Sequence, residues 1–254
     1  MLRLQSQGRL YIVGIGPGGR EYRSRRAEEA IREAEYIIGN ESYLELIEDL
    51  TKGKRIIKSR MGEEIDRAKR ALVLSEEHKV AIVSGGDPNV YGMAGIVLEV
   101  AEKSGRDFDI EIIPGITSAN AVASVLGAPL NNDFAVISLS DLLTPWEVIE
   151  RNLSAVAEAE FVIVLYNPRS RSRAGNFKRA IEIIRRFRAD DTPVGIVKNC
   201  TREGERRIIT NLRSVLTYDD EVDMHTTVII GNRESRIWKD WIITPRGYHR
   251  KYRI

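Results

Sequence analysis

The chain has 254 residues, of which 43% are hydrophobic and 30% are charged, with 39 Lys and Arg against 37 Asp and Glu. This composition excludes a disordered or fibrous chain, and the net charge of +2 argues against a dedicated nucleic-acid binder. The single cysteine, Cys200, excludes an intrachain disulfide and a cysteine-based metal cluster, and it predicts a reducing compartment.

Short apolar strands and amphipathic helices alternate along the first half of the chain. Strands are predicted at residues 10–14, 36–38, 55–57, 80–83 and 110–113, with helices at 23–35, 42–50, 63–74 and 96–104. This alternation is the signature of an α/β fold.

The second half continues the alternation with different motifs. Strands are predicted at 134–139, 161–166, 194–197, 206–210, 227–230 and 241–243, with helices at 119–126 and 176–187 and one that starts after Thr144 as N-cap. The Pro- and Asn-rich stretch at 128–132 predicts a boundary between two α/β domains, 1–128 and 129–254. The basic tail at 246–254 is expected to be mobile or to lie at an interface.

Membrane insertion and secretion are not expected. The longest purely apolar run is about six residues, at 161–166, whereas a bilayer-spanning helix needs roughly 20. The first residues hold no apolar segment as long as a signal peptide. We therefore expect a cytoplasmic protein with no membrane partner.

Four predicted strands end in loops without bulky side chains. These loops lie at 14–19, 84–88, 114–118 and 167–168. Ligands of open α/β sheets bind beyond the carboxyl ends of the strands, and glycine lets them approach the backbone. The loops therefore predict a ligand held largely by backbone groups; alternatively, the glycines simply end the strands.

The first loop matches the dinucleotide fingerprint G-x-G-x-x-G through Gly14, Gly16 and Gly19. Pro17 argues against that function, because proline offers no N–H to a pyrophosphate and the next helix is predicted to start several residues later. A nucleotide-binding oxidoreductase remains an alternative, as does a catalytically silent ligand-binding protein.

Residues for acid–base, nucleophilic or metal chemistry are sparse. The histidines at 78, 225 and 249 have no metal-ligand spacing, and the sequence has no G-x-S-x-G motif. We therefore expect no protein-bound metal. Some group transfers need positioning and desolvation more than an acid, a base or a metal, so they are compatible with this scarcity of catalytic residues. Methyl transfer from a sulfonium is one such reaction.

Three motifs, at 14–18, 84–93 and 114–118, resemble in order and spacing those of the tetrapyrrole methylases, which use S-adenosylmethionine. Segments 61–68, 138–146 and 165–170 resemble the branch that methylates carbon 17 of precorrin-3B or cobalt-factor III in cobalamin synthesis and contracts the macrocycle. The resemblance implies two α/β domains with S-adenosylmethionine in the cleft between them, a corrinoid substrate and a homodimer. A methylase acting at another ring carbon, or on a protein side chain, is an alternative.

Site residues follow from this resemblance. It implies S-adenosylmethionine contacts at Pro17, Gly85, Gly86, Asp87, Val90, Thr117, Ser118, Asn167, Cys200 and Thr227. Asp87 is expected to accept a hydrogen bond from a ribose hydroxyl or an amino group of the cofactor.

The implied substrate is a macrocycle with many carboxylates, and the chain has 29 arginines against 10 lysines. Arg169, Arg171 and Arg173 follow a predicted strand and are candidates for a bidentate carboxylate clamp; the alternative is a solvated basic loop. Asp141 is the candidate catalytic residue, as a proton-handling or substrate-orienting group. The alternative is that Asp141 is an acid near a helix N-terminus and is stabilised by the helix dipole. Trp146 is expected to pack in the core or, less favourably, against the macrocycle.

Overall fold

The computed structural model describes residues 8–170 and 174–253. The chain divides into two compact units, Met1–Thr117 and Ser118–Ile254. Arg171 and Arg173, two of the predicted substrate contacts, lie outside the described residues.

The first unit is built on a five-stranded parallel sheet with the order β3-β2-β4-β1-β5. Its strands are β1 (Arg9–Gly14), β2 (Tyr36–Asn40), β3 (Arg55–Ser59), β4 (Lys79–Ser84) and β5 (Ile110–Ile113). Its helices are α1 (Arg25–Glu33), α2 (Glu41–Glu45), α3 (Glu64–Leu74) and α4 (Met93–Ser104), with short 3-10 turns at Arg20–Tyr22 and Glu48–Leu50. The predicted alternation of strands and helices is confirmed here.

Helices cover both faces of this sheet. Tyr11 and Val13 of β1 pack with α1 and α2 on one face, while Leu10 and Ile12 of the same strand pack with α3 and α4 on the other. A parallel strand buried on both faces reads as a continuous apolar run rather than an alternating one. The side chain of Ser24 caps α1 by accepting a hydrogen bond from the Ala27 N–H at 3.1 Å.

The second unit contains a mixed five-stranded sheet and a small three-stranded sheet. Its strands are β6 (Gly127–Ala128), β7 (Phe134–Ser138), β8 (Val162–Tyr166), β9 (Pro193–Lys198), β10 (Arg206–Asn211), β11 (Thr226–Ile230), β12 (Arg236–Trp238) and β13 (Trp241–Ile243). Its helices are α5 (Ser118–Leu126), α6 (Trp146–Glu158) and α7 (Asn176–Ile184), with 3-10 segments at Val215–Glu221 and Tyr248–Arg250. The sheet orders are β10-β9-β11-β8-β7 and β12-β13-β6.

In the larger sheet only β7 and β8 pair in parallel; the pairs β8–β11, β11–β9 and β9–β10 are antiparallel. Helices α6 and α7 pack on one face and α5 on the other. Trp146 is 7% exposed and belongs to the core on the α6 face, as core packing predicted. Pro145, not the predicted Thr144, is the N-cap residue of α6, so the helix starts one residue later than expected.

The division between the units precedes the boundary predicted at residue 128. Helix α5 packs against β10 and β11 of the second unit. Strand β6 pairs with β13 through Gly127 opposite Ile242. The stretch at 128–132 is therefore a connection within the second unit. Within the described part of the chain, no helix is long and apolar enough to cross a membrane.

Candidate functional site

Three glycine loops of the first unit lie together at one edge of its sheet. They follow β1, β4 and β5, which are neighbours in the order β4-β1-β5 and run parallel. The carboxyl ends of parallel neighbours meet at the same edge, where ligands of open α/β sheets bind. Pro17, Gly85, Gly86, Asp87, Val90 and Thr117 all lie on these loops.

The first and second loops are joined by a reciprocal pair of backbone hydrogen bonds. The Gly16 N–H donates to the Gly86 carbonyl at 3.1 Å, and the Gly86 N–H donates to the Gly16 carbonyl at 2.8 Å. Both glycines have left-handed backbones, with φ of +76° and +65°. A β-carbon is disfavoured at such angles, so this junction requires glycine at both positions.

Asp87 ties the second loop to the third. Its Oδ2 accepts from the Gly115 N–H at 3.0 Å, and its Oδ1 accepts from the Asn89 N–H at 2.8 Å. A carboxylate offers about four lone-pair sites, so these two bonds leave Asp87 able to accept from a ligand hydroxyl or amino group as well.

The loops also touch backbone to backbone. A β-carbon built on Gly115 would lie 2.2 Å from the Gly86 carbonyl oxygen, and one built on Gly14 would lie 2.7 Å from the Gly115 nitrogen. One built on Gly85 would lie 2.7 Å from the Tyr43 ring. The glycines therefore do more than end the strands, because the three loops form one structure only when these side chains are absent.

The start of α1 disfavours the dinucleotide interpretation. A 3-10 turn at Arg20–Tyr22 separates the first loop from α1, which begins at Arg25. Helix N-termini bind phosphates only where their N–H groups reach the ligand. Pro17 is buried in the loop itself and has no N–H to offer.

In the second unit, the predicted residues gather at one edge of the larger sheet. The pairings place the carboxyl ends of β7, β8 and β9 beside the start of β11. Asn167 follows β8 with φ of +51°, and its Nδ2 donates to Ser138 Oγ at 3.0 Å. Asn199 and Thr201, which follow β9, are also left-handed, with φ of +50° and +64°. Strained backbones of this kind concentrate at functional sites.

Ser118, Cys200 and Thr227 lie close to this edge. Ser118 is the first residue of α5, whose next N–H, that of Ala119, donates to the Tyr166 hydroxyl at 2.6 Å. Thr227 is buried and lies opposite Val197. Burial raises the pKa of the Cys200 thiol to about 12, and the Glu205 carboxylate adds to the shift. A thiol that stays protonated near neutral pH is a packing or contact group and not a nucleophile.

Arg169 is committed to an ion pair within the second unit. Its Nη1 lies 2.6 Å from Asp219 Oδ2 and 3.5 Å from Asp220 Oδ1, and it also donates to the Asp219 carbonyl. The guanidinium is therefore a link between distant segments, which weighs against the predicted carboxylate clamp at this position.

Asp141 is exposed in the turn that follows β7. Helix α6 begins at Trp146, and the helix dipole acts mainly within the first turn. The structure therefore does not support the alternative of a dipole-stabilised acid. Within residues 8–170 and 174–253, no three His, Cys, Asp or Glu side chains are grouped so as to hold a metal ion.

Sequence reasoning missed two features of these edges. Tyr91 follows β4 with φ of +53° and is 60% exposed. Arg60 follows β3 and is also exposed. Two sequence signals could have pointed to these residues. Tyr91 is an aromatic residue directly before Gly92, and Arg60 directly precedes Met61 and Gly62.

Comparison with known proteins covers nearly the whole chain. The family model of the tetrapyrrole (corrin/porphyrin) methylases matches residues 9–216. The probable cobalt-factor III C(17)-methyltransferase of Salmonella typhimurium is 45% identical over 94% of this chain and 99% of its own length. A crystal structure of the methyltransferase CobJ is 33% identical, with a TM-score of 0.89 over 94% of this chain and 100% of that one.

Two further relatives are longer proteins. The cobalamin biosynthesis protein CbiHC of Archaeoglobus fulgidus is 48% identical over 100% of this chain. The cobalt-factor III methyltransferase of Priestia megaterium is 45% identical over 98% of it. The chain spans only 56% and 46% of these two relatives, about half of each.

Proposed function

Because the chain belongs to the tetrapyrrole methylase family, we propose that it is an S-adenosylmethionine-dependent methyltransferase of cobalamin biosynthesis. Its substrate is cobalt-factor III or precorrin-3B, which it methylates at carbon 17 with contraction of the macrocycle. The observation that carries this proposal is the match to the Salmonella relative, of which the chain covers 99% at 45% identity. The likeness to the CobJ methyltransferase supports the same class of reaction.

The loops of the first unit fit a ligand with the polar groups of S-adenosylmethionine. The loops consist largely of small residues, which leave their backbone accessible. The Asp87 carboxylate accepts two hydrogen bonds from backbone N–H groups and can still accept more from a ligand. We assign the cofactor contacts to Pro17, Gly85, Gly86, Asp87, Val90, Thr117, Ser118, Asn167, Cys200 and Thr227.

S-adenosylmethionine supplies a methyl group already activated by a sulfonium, so the protein need not generate the electrophile. The joined glycine loops provide a fixed backbone, and Asp87 holds the second and third loops in register while accepting from the ligand. Asn167, fixed by Ser138, offers its remaining amide hydrogen-bonding capacity. These residues contribute by positioning the reactants and excluding water. In well-oriented reactions these effects lower the activation free energy by several kcal/mol.

Asp141 is the proposed proton-handling or substrate-orienting group, and it is exposed where a ligand can reach it. The arginines at 169, 171 and 173 were predicted to hold substrate carboxylates. Since Arg169 pairs with Asp219, its part in binding requires that this pair open or share the guanidinium. We also propose that the protein is a homodimer, which light scattering coupled to size-exclusion chromatography tests.

Isothermal titration tests the ligand class. S-adenosylhomocysteine is expected to bind, and NAD is expected not to bind. Binding of NAD without binding of S-adenosylhomocysteine would favour the oxidoreductase and overturn the proposal.

A product assay tests the substrate and the position of methylation. The protein is incubated with isotopically labelled S-adenosylmethionine and either cobalt-factor III or precorrin-3B, with and without dioxygen, and the products are analysed by mass spectrometry and NMR. A labelled methyl group at carbon 17 is expected. Methylation that leaves carbon 17 unchanged would instead indicate a methylase for another ring carbon.

A further inference from the structure

A cavity of the second unit lies at the edge of the larger sheet that is opposite to the predicted cofactor residues. Its volume of about 390 Å³ falls in the range of roughly 300–1,000 Å³ that is usual for small-molecule sites. Its walls come from the turn before β8, the segment that leads into β9 and the loop that follows β11. Strand β9 has six residues, so about 20 Å of strand separates the cavity from Asn199 and Cys200.

Arg188 lies in the cavity wall with only 1% of its side chain exposed. Its Nη1 pairs with Glu160, and its Nη2 donates to the Phe161 carbonyl at 2.8 Å. Its Nε makes no hydrogen bond with any of the described residues. A buried donor left without an acceptor destabilises the fold, so a ligand that supplies an acceptor at this position is bound favourably.

Arg233 brings a second guanidinium to the carboxylate of Glu160. Its backbone N–H donates to Glu160 Oε2 at 2.9 Å, and its Nε lies 3.5 Å from Glu160 Oε1. Burial lowers the pKa of the Arg188 guanidinium; the Glu160 carboxylate opposes this shift, and the Arg233 charge adds to it. One carboxylate thus balances two guanidinium groups. The three side chains together carry a net positive charge, which favours an anion beside them.

Thr192 adds a hydroxyl group without a partner. The residue is 5% exposed and lines the cavity. Its backbone is engaged, since its N–H donates to the Ala189 carbonyl at 3.1 Å and its carbonyl accepts from the Leu212 N–H at 3.0 Å. Its Oγ1, however, makes no hydrogen bond within residues 8–170 and 174–253. Buried hydroxyl groups are usually hydrogen-bonded, so this one is available to a ligand in the cavity.

The rest of the wall includes apolar residues and one opposing charge. Phe187, which is 38% exposed, and the buried Pro193 both line the cavity. The exposed Asp191 lines it as well, and its carboxylate repels an anion. The donors therefore favour an acidic group on the ligand, and the apolar residues favour an organic body next to that group.

We propose that this cavity binds a small organic anion. Arg188, Arg233 and Thr192 hold its phosphate or carboxylate group. Phe187 contacts its apolar body. The site is distinct from that of the methyl donor and the macrocycle, because the residues assigned to them lie in the first unit or at the opposite edge of this sheet. The inference therefore goes beyond the proposed function and does not depend on it.

Calorimetric titration with phenyl phosphate tests the cavity, with inorganic phosphate and benzoate as comparison ligands. Phenyl phosphate is expected to bind at least about fivefold more tightly than inorganic phosphate, because its ring contacts Phe187. Phe187→Ala should remove most of that difference. Benzoate separates the two acidic groups: affinity equal to that of phenyl phosphate would assign a carboxylate ligand, and weaker binding would assign a phosphate ester.

Thr192→Val is the most informative variant. It removes a hydroxyl that has no internal partner, so Tm of the free protein should be unchanged or higher, while affinity for phenyl phosphate should fall about tenfold. Thr192→Ser keeps the hydroxyl and should bind as the wild type does. Arg233→Gln should also weaken binding about tenfold, and Asp191→Asn should strengthen it. The control is Arg151→Gln, which alters an exposed arginine of α6 that does not line the cavity and should leave binding unchanged.

Competition separates the cavity from the cofactor site. Phenyl phosphate and S-adenosylhomocysteine should bind the wild-type protein together, and all the variants should keep their affinity for S-adenosylhomocysteine. The proposal is overturned if neither phenyl phosphate nor benzoate binds, or if S-adenosylhomocysteine displaces phenyl phosphate. It is also overturned if Thr192→Val and Arg233→Gln both bind phenyl phosphate as tightly as the wild type. None of these results contradicts the proposed methyltransferase function.

Discussion

Replacing Gly115 by alanine tests whether the three glycine loops act as one packed structure. The added β-carbon would lie 2.2 Å from the Gly86 carbonyl oxygen, whereas real β-carbons essentially never lie within 3.0 Å of an atom outside their own residue and its chain neighbours. The second and third loops must therefore separate by at least about 0.8 Å, the difference between these distances. A hydrogen bond of 3.0 Å, such as that from the Gly115 N–H to Asp87, would be lost if it lengthened by that amount.

The magnitude follows from two terms. Overpacking in a close-packed region costs about 1–3 kcal/mol, and a lost hydrogen bond costs about 1 kcal/mol. We therefore expect Gly115→Ala to lower the free energy of unfolding by about 2–4 kcal/mol and to weaken S-adenosylhomocysteine binding, since the loops no longer hold their relative positions.

Urea unfolding followed by far-UV circular dichroism measures the stability, and calorimetric titration measures the affinity. All three tryptophans, Trp146, Trp238 and Trp241, belong to the second unit, so tryptophan fluorescence gives a separate reference for that unit. Gly95→Ala is the matched control, because no atom beyond the adjacent helix backbone lies within 4 Å of its added β-carbon. Gly95 is exposed in α4, where alanine should stabilise by about 0.5–1 kcal/mol.

The reasoning is refuted if Gly115→Ala unfolds within about 0.5 kcal/mol of the wild type and binds S-adenosylhomocysteine equally well. That result would mean that the loops can separate without loss, so that they are not one rigid site.

Three further outcomes are expected. Asp87→Asn should weaken S-adenosylhomocysteine binding and lower stability by about 1–3 kcal/mol, because an amide with one oxygen leaves a backbone N–H unpaired; exposed Asp107→Asn is the control, and equal effects in both variants would argue against this role. Cys200 should react with a thiol reagent at pH 8 only after unfolding, since burial raises its pKa to about 12; rapid labelling of the native protein would contradict this. Hydrogen bonding to Arg26 lowers the pKa of Glu111 from 4.5, so this pair should stabilise the folded protein above about pH 4.5 and lose its effect as the pH falls. The variant Glu111→Gln should therefore show a flatter acid dependence of Tm. An unchanged dependence would exclude the pair as a contributor.

The first unit was predictable from sequence because its signals are local. Buried parallel strands such as β1 and β4 are continuous apolar runs, and the turns that end them are rich in glycine. Apolar periodicity likewise located α1 and α3 to within a few residues. The edge where the ligand loops meet then follows from the rule for parallel sheets.

The features that sequence did not reveal depend on distant partners. Arg169 precedes its partner Asp219 by fifty residues, so the sequence shows a free cation where the structure has an ion pair. The domain boundary was misplaced because α5 continues the strand–helix alternation, although it packs on β10 and β11. Antiparallel pairing in the second sheet was not foreseen, since β8, β9 and β11 read as the same kind of buried apolar strand.

The left-handed backbone of Tyr91 was not predictable from its residue type. Asparagine is one of the few residues with a β-carbon that adopt a positive φ routinely, so Asn167 offered a signal for this angle, whereas a tyrosine offers none. The positive φ of Tyr91 is therefore visible only in the structure.

The order of strands in the first sheet determines when this unit can fold during synthesis. Strand β1 is made first, but Leu10 pairs with Val80 on one side and Ile110 on the other. At about 5–20 residues per second, the 65 positions from Gly14 to Lys79 take roughly 3–13 s to make. During that time an apolar strand has no partner. In the second unit, β9 and β10 form an antiparallel pair between near neighbours, which favours rapid local folding. The first sheet therefore depends on strands that are made late, and β1 stays unpaired until β4 has been synthesised.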